Sequence, residues 1–282
     1  MDLGIIITGQ LRTFFTEIVF NTFINWLIIL RQYYKLYIVC VVNEDIINYS
    51  KFTFLRNLCE RYSIIKFDKS LVHIPSIQRI LEEYKRKNLY DELLHEAKDP
   101  KVLLQSFLQQ LKQIEVGVKR MKEFGNIPTY IKTRFDIFYG KLIIPYSNPN
   151  PLFPHSENQF SSVKEFYEFG RQQDLKTLKI PEEFWQINFG GTYYYNNNIF
   201  DTNDKLWLSN DYIIIGKSEL FEKFVKEDLL SDPERLIDLA NKNGINHMLS
   251  QESLLNLYIY SSGTTPIMLL NSYSIYVVRP KN

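Results

Sequence analysis

Glycine-rich phosphate loops are missing from this sequence: neither GxGxxG nor GxxxxGK[ST] occurs, and 11 of 282 residues are glycine. Both motifs use glycine where the backbone must approach a phosphate, so their absence disfavours a Rossmann dinucleotide enzyme and a P-loop NTPase. GxSxG and HExxH are also absent. The histidines His73, His95, His155 and His247 are scattered, which leaves little support for a histidine-based triad or a multi-histidine metal site. Cysteine is scarce too. Cys40 and Cys59 form no CxxC and cannot make a four-thiolate zinc site, so both read as reduced core residues. Charge of one sign is lacking as well. Against 33 basic residues stand 32 acidic ones, and a net charge of +1 gives no electrostatic reason to expect DNA or RNA as partner.

No basic n-region opens "MDLGIIITGQ", so this segment does not read as a signal peptide. The most membrane-like stretch is "FFTEIVFNTFINWLIIL". Along it Glu17, Asn21 and Asn25 recur every four residues, a polar stripe that fits a helix packed on protein rather than on lipid. The expectation is a soluble, cytoplasmic protein with no transmembrane segment.

Apolar material is plentiful, at 45% hydrophobic and 15% aromatic residues, enough for a sizeable core. "LGIIITGQ" is an apolar run that breaks at Gly9, and a helix is predicted from about Thr13 to Gln32. "KLYIVCVVNED" and "YSIIKFD" are further strands, separated by a helix near residues 50–61. Strands that alternate with helices and close in polar residues indicate an α/β fold with a mostly parallel sheet flanked by helices. In such sheets ligands gather at the carboxyl ends of the strands. Gly9-Gln10-Leu11-Arg12, Asn43-Glu44-Asp45 and Asp68 are expected along that rim.

Residues 76–125 are strongly helical. Leu104, Phe107, Leu108, Leu111, Ile114, Val118 and Met121 recur at three- and four-residue steps and define one buried face. Gly125 stops the helix, and "TYIKTRFDIFYG" follows as a strand. Residues 145–160 hold four of the eleven prolines and read as loop. "LWLSNDYIIIGKSELFEKFVKE" reads as loop, strand, glycine turn and helix. "NHMLSQESLLNLYIYSSG" is a helix with a glycine stop, and "SYSIYVVRP" a closing strand. No repeat and no Gly/Ser linker divides the chain.

The candidate chemistry lies in carboxylates and arginines near strand ends. Arg134 and Asp136, one residue apart, are expected on the same face of a strand. Arg134 offers a permanently charged planar fork for phosphate or carboxylate. Asp136 is suited to a divalent metal or to sugar hydroxyls. The plain alternative is an Arg–Asp pair that ties down the strand end, but two charges inside a core strand are costly without a purpose. Arg12 follows the Gly9-Gln10 turn, where ligand contact and simple helix-start structure compete. Asp211, before "YIIIG", is a base candidate or a turn residue. Glu252 would fall in the first turn of its helix, where the dipole favours an acid whatever the function. Trp185 and Tyr193 to Tyr195 offer a platform for a ring.

"IIITGQLRTF", then "IKTRFDIFYG" after a long helix, then Asn210–Gly216 and Gln251–Leu255 in that order resemble nucleotide-sugar-dependent glycosyltransferases of the GT-A type. The resemblance is to the subset that makes surface glycans of bacteria and large DNA viruses; for a viral member the compartment would be the host cytoplasm. The resemblance implies one domain over residues 1–282, with a nucleotide-sugar-binding half (1–140) and an acceptor-binding half (141–282). It further implies a nucleotide-sugar donor, UDP-linked in the first instance, and a glycan acceptor. Thr8, Gly9, Gln10, Arg12, Asn43, Arg134 and Asp136 would bind the donor, and Asp211 or Glu252 would activate the acceptor hydroxyl. Asp136 takes the place of the metal-binding DxD motif, with Mn2+ or Mg2+ as its implied ion. Arg134 stands where the first Asp of that motif would be, so a direct cationic grip on the diphosphate is the other possibility. A sugar-phosphate nucleotidyltransferase and a non-catalytic carbohydrate-binding protein are the rival readings.

Overall fold

In the computed structural model the described residues are 1–87, 99–139, 186–189, 205–209, 212–245, 251–268 and 275–279. Strand β1 (Asp2–Gly9) leads into helix α1 (Glu17–Arg31), then β2 (Lys35–Val42) and β3 (Arg61–Lys66). Helices α2 (Ile74–Arg86) and α3 (Pro100–Lys122) precede β4 (Thr129–Arg134) and the short β5 (Ile137–Tyr139). Strands β6 (Gln186–Phe189), β7 (Lys205–Ser209) and β8 (Ile213–Lys217) follow. Helices α4 (Ser218–Phe224), α5 (Pro233–Lys242) and α6 (Gln251–Ser261) then lead to β9 (Thr265–Met268) and β10 (Ile275–Arg279).

Seven strands form the main sheet in the order β3-β2-β1-β4-β8-β7-β9. β1, β2, β3 and β4 run parallel, β8 is antiparallel to both β4 and β7, and β7 is parallel to β9. A smaller antiparallel sheet has the order β5-β10-β6. The fold is therefore α/β, with a mixed and mostly parallel central sheet flanked by helices. Parallel strands buried on both faces need apolar residues at nearly every position, and β1 and β2 supply them. Leu3, Ile5 and Ile7 pack against α1 and its neighbours on one face. Ile6 joins the layer of α2 to α6 on the other.

Several expected boundaries shift. The helix expected from Thr13 begins at Glu17, because the chain turns through Thr13 to Thr16 before Thr16, still extended, caps it. Its exposed side carries Glu17, Asn21 and Asn25, and no described helix is long and apolar enough to cross a membrane. The segment near residue 50 forms a 3-10 helix, Tyr49–Asn57, and Cys59 lies beyond it. Among the described residues of the expected helical stretch, α2 and α3 are helical, and α3 buries the expected face apart from the half-buried Leu108. Gly125, at φ +130, follows α3 as expected of a glycine stop. "LWLS" is strand β7 rather than loop. Gly216 lies within β8 rather than in a turn: a Cβ there would sit 2.4 Å from Leu206 Cδ2 of β7. The proline-rich residues 145–160 lie outside the described residues.

The approach of α3 to β1 positions the site. Gly4 faces Met121 Sδ, and a Cβ on Gly117 would fall 2.3 Å from Ile6 Cγ2. Four residues of helix advance about 6 Å, and two residues of strand advance nearly the same distance, about 6.6 Å. The antiparallel match of Met121 with Gly4 and Gly117 with Ile6 therefore brings Gln113 level with Thr8, where the strand ends. Gly117→Val should cost about 2 kcal/mol through overpacking, read as a lower urea midpoint at unchanged slope.

Both cysteines are free, Cys40 buried and Cys59 half-buried. Burial pushes the Cys40 thiol well above its ordinary range, helped by nearby Cys59. Burial, with Glu60 adding and Arg31 opposing, pushes Cys59 from 9.0 up to about 12. A raised thiol favours the protonated folded state, so this contribution is complete below the unfolded value and fades as pH climbs toward the folded one. Iodoacetamide at mildly alkaline pH should leave both thiols intact in the folded protein and alkylate both in urea.

Candidate functional site

At the carboxyl rim of β1, β2 and β4 lies a cleft of about 350 Å3, lined by Thr8, Gly9, Gln10, Arg12, Asn43, Arg134 and Asp136, among others. Each residue arrives by a definite route. Thr8 and Arg134 are register partners across β1 and β4. Gly9 adopts φ +115, a conformation that a side chain disfavours, and a Cβ there would meet nothing within 4 Å. Its carbonyl accepts the Asn43 backbone N–H at 2.8 Å. The Leu11 N–H donates to Glu44 Oε1 at 2.9 Å. The segment after β1 is thus pinned to the segment after β2.

The strand expected to run through "TYIKTRFDIFYG" breaks between Arg134 and Ile137, and the chain passes there from the large sheet to the small one. Arg134 and Asp136 therefore do not share the face of one strand; a turn brings them together. Phe135 sets that turn. It is buried against Phe14, with ring centroids 5.1 Å apart, and against Phe52 at 6.3 Å. With Phe135 locked into the aromatic cluster, its two polar neighbours converge on the cleft. Arg134 Nε donates to Asp136 Oδ1 and Nη2 to Oδ2, both at 2.9 Å. The guanidinium also lies 5.4 Å from the Tyr212 ring. The pair ties down the strand end and also borders the cleft. Side-chain exposures of 20% for Arg134 and 11% for Asp136 leave the pair open on that side.

Asp136 does not by itself provide a divalent cation site. Both of its oxygens already accept from Arg134, and a hard cation wants six or more oxygen ligands. No group of three or more His, Cys, Asp or Glu placed to hold a metal ion occurs among the described residues. Among the described residues the cleft lining carries two cations, Arg12 and Arg134, and one carboxylate, Asp136, with Arg12 exposed.

Of the proposed acceptor-activating residues, Asp211 lies outside the described residues, as do Trp185 and Tyr193 to Tyr195. Glu252 is half-buried in the first turn of α6, beside Gln251, which lines the cleft. Asp45 is not among the residues lining the cleft and pairs with Lys69 at 2.9 Å, and Asp68 caps a short 3-10 turn through the Ser70 N–H.

Sequence reasoning passed over the wall opposite the strands. Ser106, Gln109, Gln110 and Gln113 of α3 line the cleft. Their i, i+3, i+4, i+7 spacing is as regular as that of the apolar face beside it, and this was the available signal. Lys132 was also passed over. It is fully buried in β4, two residues before Arg134 and on the same side of the sheet.

No protein-family model and no curated protein matches this sequence. Among solved structures, the crystal structure of mouse xyloside xylosyltransferase 1 in its apo form aligns over 95% of this chain and 84% of that chain. The identity is 12% and the TM-score 0.40, and at those values the likeness decides nothing about the chemistry here.

Removing one partner of a largely buried ion pair strands the other charge. Arg134→Leu should therefore cost on the order of 3 kcal/mol, and Arg134→Leu with Asp136→Leu distinctly less. Urea unfolding of the two variants against the parent measures the difference.

Proposed function

We propose that this protein is a glycosyltransferase that moves a sugar from a nucleotide diphosphate, UDP in the first instance, to a hydroxyl of a glycan acceptor. One observation carries the reading. Residues far apart in sequence, from Thr8 to Asp136, surround a single cleft at the carboxyl rim of parallel strands, where ligands of open α/β sheets collect. The GT-A resemblance of the sequence motifs assigns those same residues to the donor.

The chemistry asked of them is modest. As the glycosidic bond to the diphosphate breaks, negative charge grows on the leaving oxygens, and preorganised cations in a partly dry site stabilise it. Arg134 is preorganised, since Asp136 and Tyr212 fix its plane before any ligand arrives. Arg12 adds a second positive charge from the segment after β1. Asp211 and Glu252 are the candidates for taking the acceptor proton in an inverting reaction. The close Arg134–Asp136 pairing favours a second reading, a carbohydrate-binding protein that holds a nucleotide sugar without transferring it.

A donor that binds the folded state raises the melting temperature, by the equivalent of about 2.7 kcal/mol at one hundred times its Kd. Screening UDP-, GDP- and TDP-sugars should identify one that does so, and no shift with any of them would overturn the assignment. Arg134→Ala should lower the release of nucleotide from that donor by about two orders of magnitude or more. Asp136→Asn should lower it as well, and full activity in either folded variant would refute the site. A donor that binds tightly but is never cleaved with or without added glycans would select the second reading.

A further inference from the structure

The cleft lining is of two chemical kinds. Its cations come from Arg12 and Arg134, while α3 contributes hydroxyl and amide side chains without charge. Gln113 is only 4% exposed and Asn43 only 8%. Burying amides this deeply normally requires hydrogen bonds to replace those lost to water. Yet none of the described hydrogen bonds engages the side-chain amide of Gln113, and Asn43 Oδ1 is buried with no partner at all. The orphaned Asn43 Oδ1, and a Gln113 amide whose polar atoms reach only the cleft and meet no described protein partner, mark a place where a ligand supplies bonds.

The lining also indicates what kind of ligand group this is. Among the described residues, those lining the cleft are hydroxyl, amide, charged and glycine residues, and none is aromatic or aliphatic. A flat base buries its faces against rings or hydrocarbon, whereas a sugar ring presents hydroxyls that both donate and accept. An amide does the same, with two N–H donors and one carbonyl acceptor. Charge is not required on either partner.

We infer that Gln113, with Gln109 one turn earlier on α3, is a specificity-determining residue that reads the hydroxyls of the sugar being carried, while the arginines of the same cleft hold the diphosphate. This rests on the proposed function and adds to it: the sugar is recognised by a neutral amide wall. A fixed amide that bonds a ligand hydroxyl discriminates strongly against a ligand lacking that group, because the buried amide is then left unpaired.

The test uses the full-length protein, calorimetric titration and two ligands: the nucleotide sugar that binds best in the screen and its parent nucleoside diphosphate. Gln113→Leu fills the same space without an amide. It should weaken the nucleotide sugar about tenfold or more and leave the parent nucleotide within about twofold. Gln109→Ala, at a half-buried position, should show the same split between ligands. If sugar and parent nucleotide weaken equally, α3 reads the nucleoside and the inference is overturned. It is also overturned if the variants bind the nucleotide sugar as the parent does. If the unmodified protein binds neither ligand, the proposed function falls, and the inference falls with it.

Discussion

The burial of Phe135 governs the arrangement of the site. One aromatic side chain, held among Phe14, Phe52 and their neighbours, interrupts the strand at the point where the chain leaves the large sheet for the small one. Its polar neighbours cannot follow it into the aromatic cluster, so they fold toward each other on the cleft side. The bidentate Arg134–Asp136 pair is therefore a consequence of core packing as well as of charge attraction. Hydrophobic burial sets the backbone, and the ion pair fixes the rotamers within it. The guanidinium that faces the cleft is held on one side by a carboxylate and on another by the Tyr212 ring.

A second constraint comes from residues without side chains. Gly4 and Gly117 let β1 and α3 approach closely, and the nearly equal advance of four helical residues and two strand residues keeps the two in step. Where β1 ends, the same face of α3 changes from apolar to polar. The core and the cleft wall are successive turns of one packed surface.

Much of the fold could be read from the residues themselves. β1 and β2 stop at Gly9 and Val42, just before the polar residues expected at their ends, β3 stops at Lys66, and the apolar stripe from Leu104 to Met121 faces the sheet. Local signals failed where tertiary contacts decide. Gly216 resembles a turn residue because nothing in its sequence reveals Leu206 across the sheet. Asp136 resembles a strand residue because alternation alone cannot show that Phe135 is claimed by a distant cluster. The candidate site was legible in part, through the strand-end residues from Thr8 to Asp136. The glutamines of α3 were not, since a polar stripe on a helix ordinarily faces water; only the registration with β1 turns this one inward.

That registration bears on how such a protein diversifies. The turns of α3 that grip the sheet and the turns that border the cleft are separate residues on one rigid rod. Exchanging Gln109 or Gln113 alters what the wall offers to a ligand without disturbing the Gly117–Ile6 contact that anchors the rod. A lineage built on this scaffold can retune its preference by single substitutions at the rim while its foundations stay unchanged.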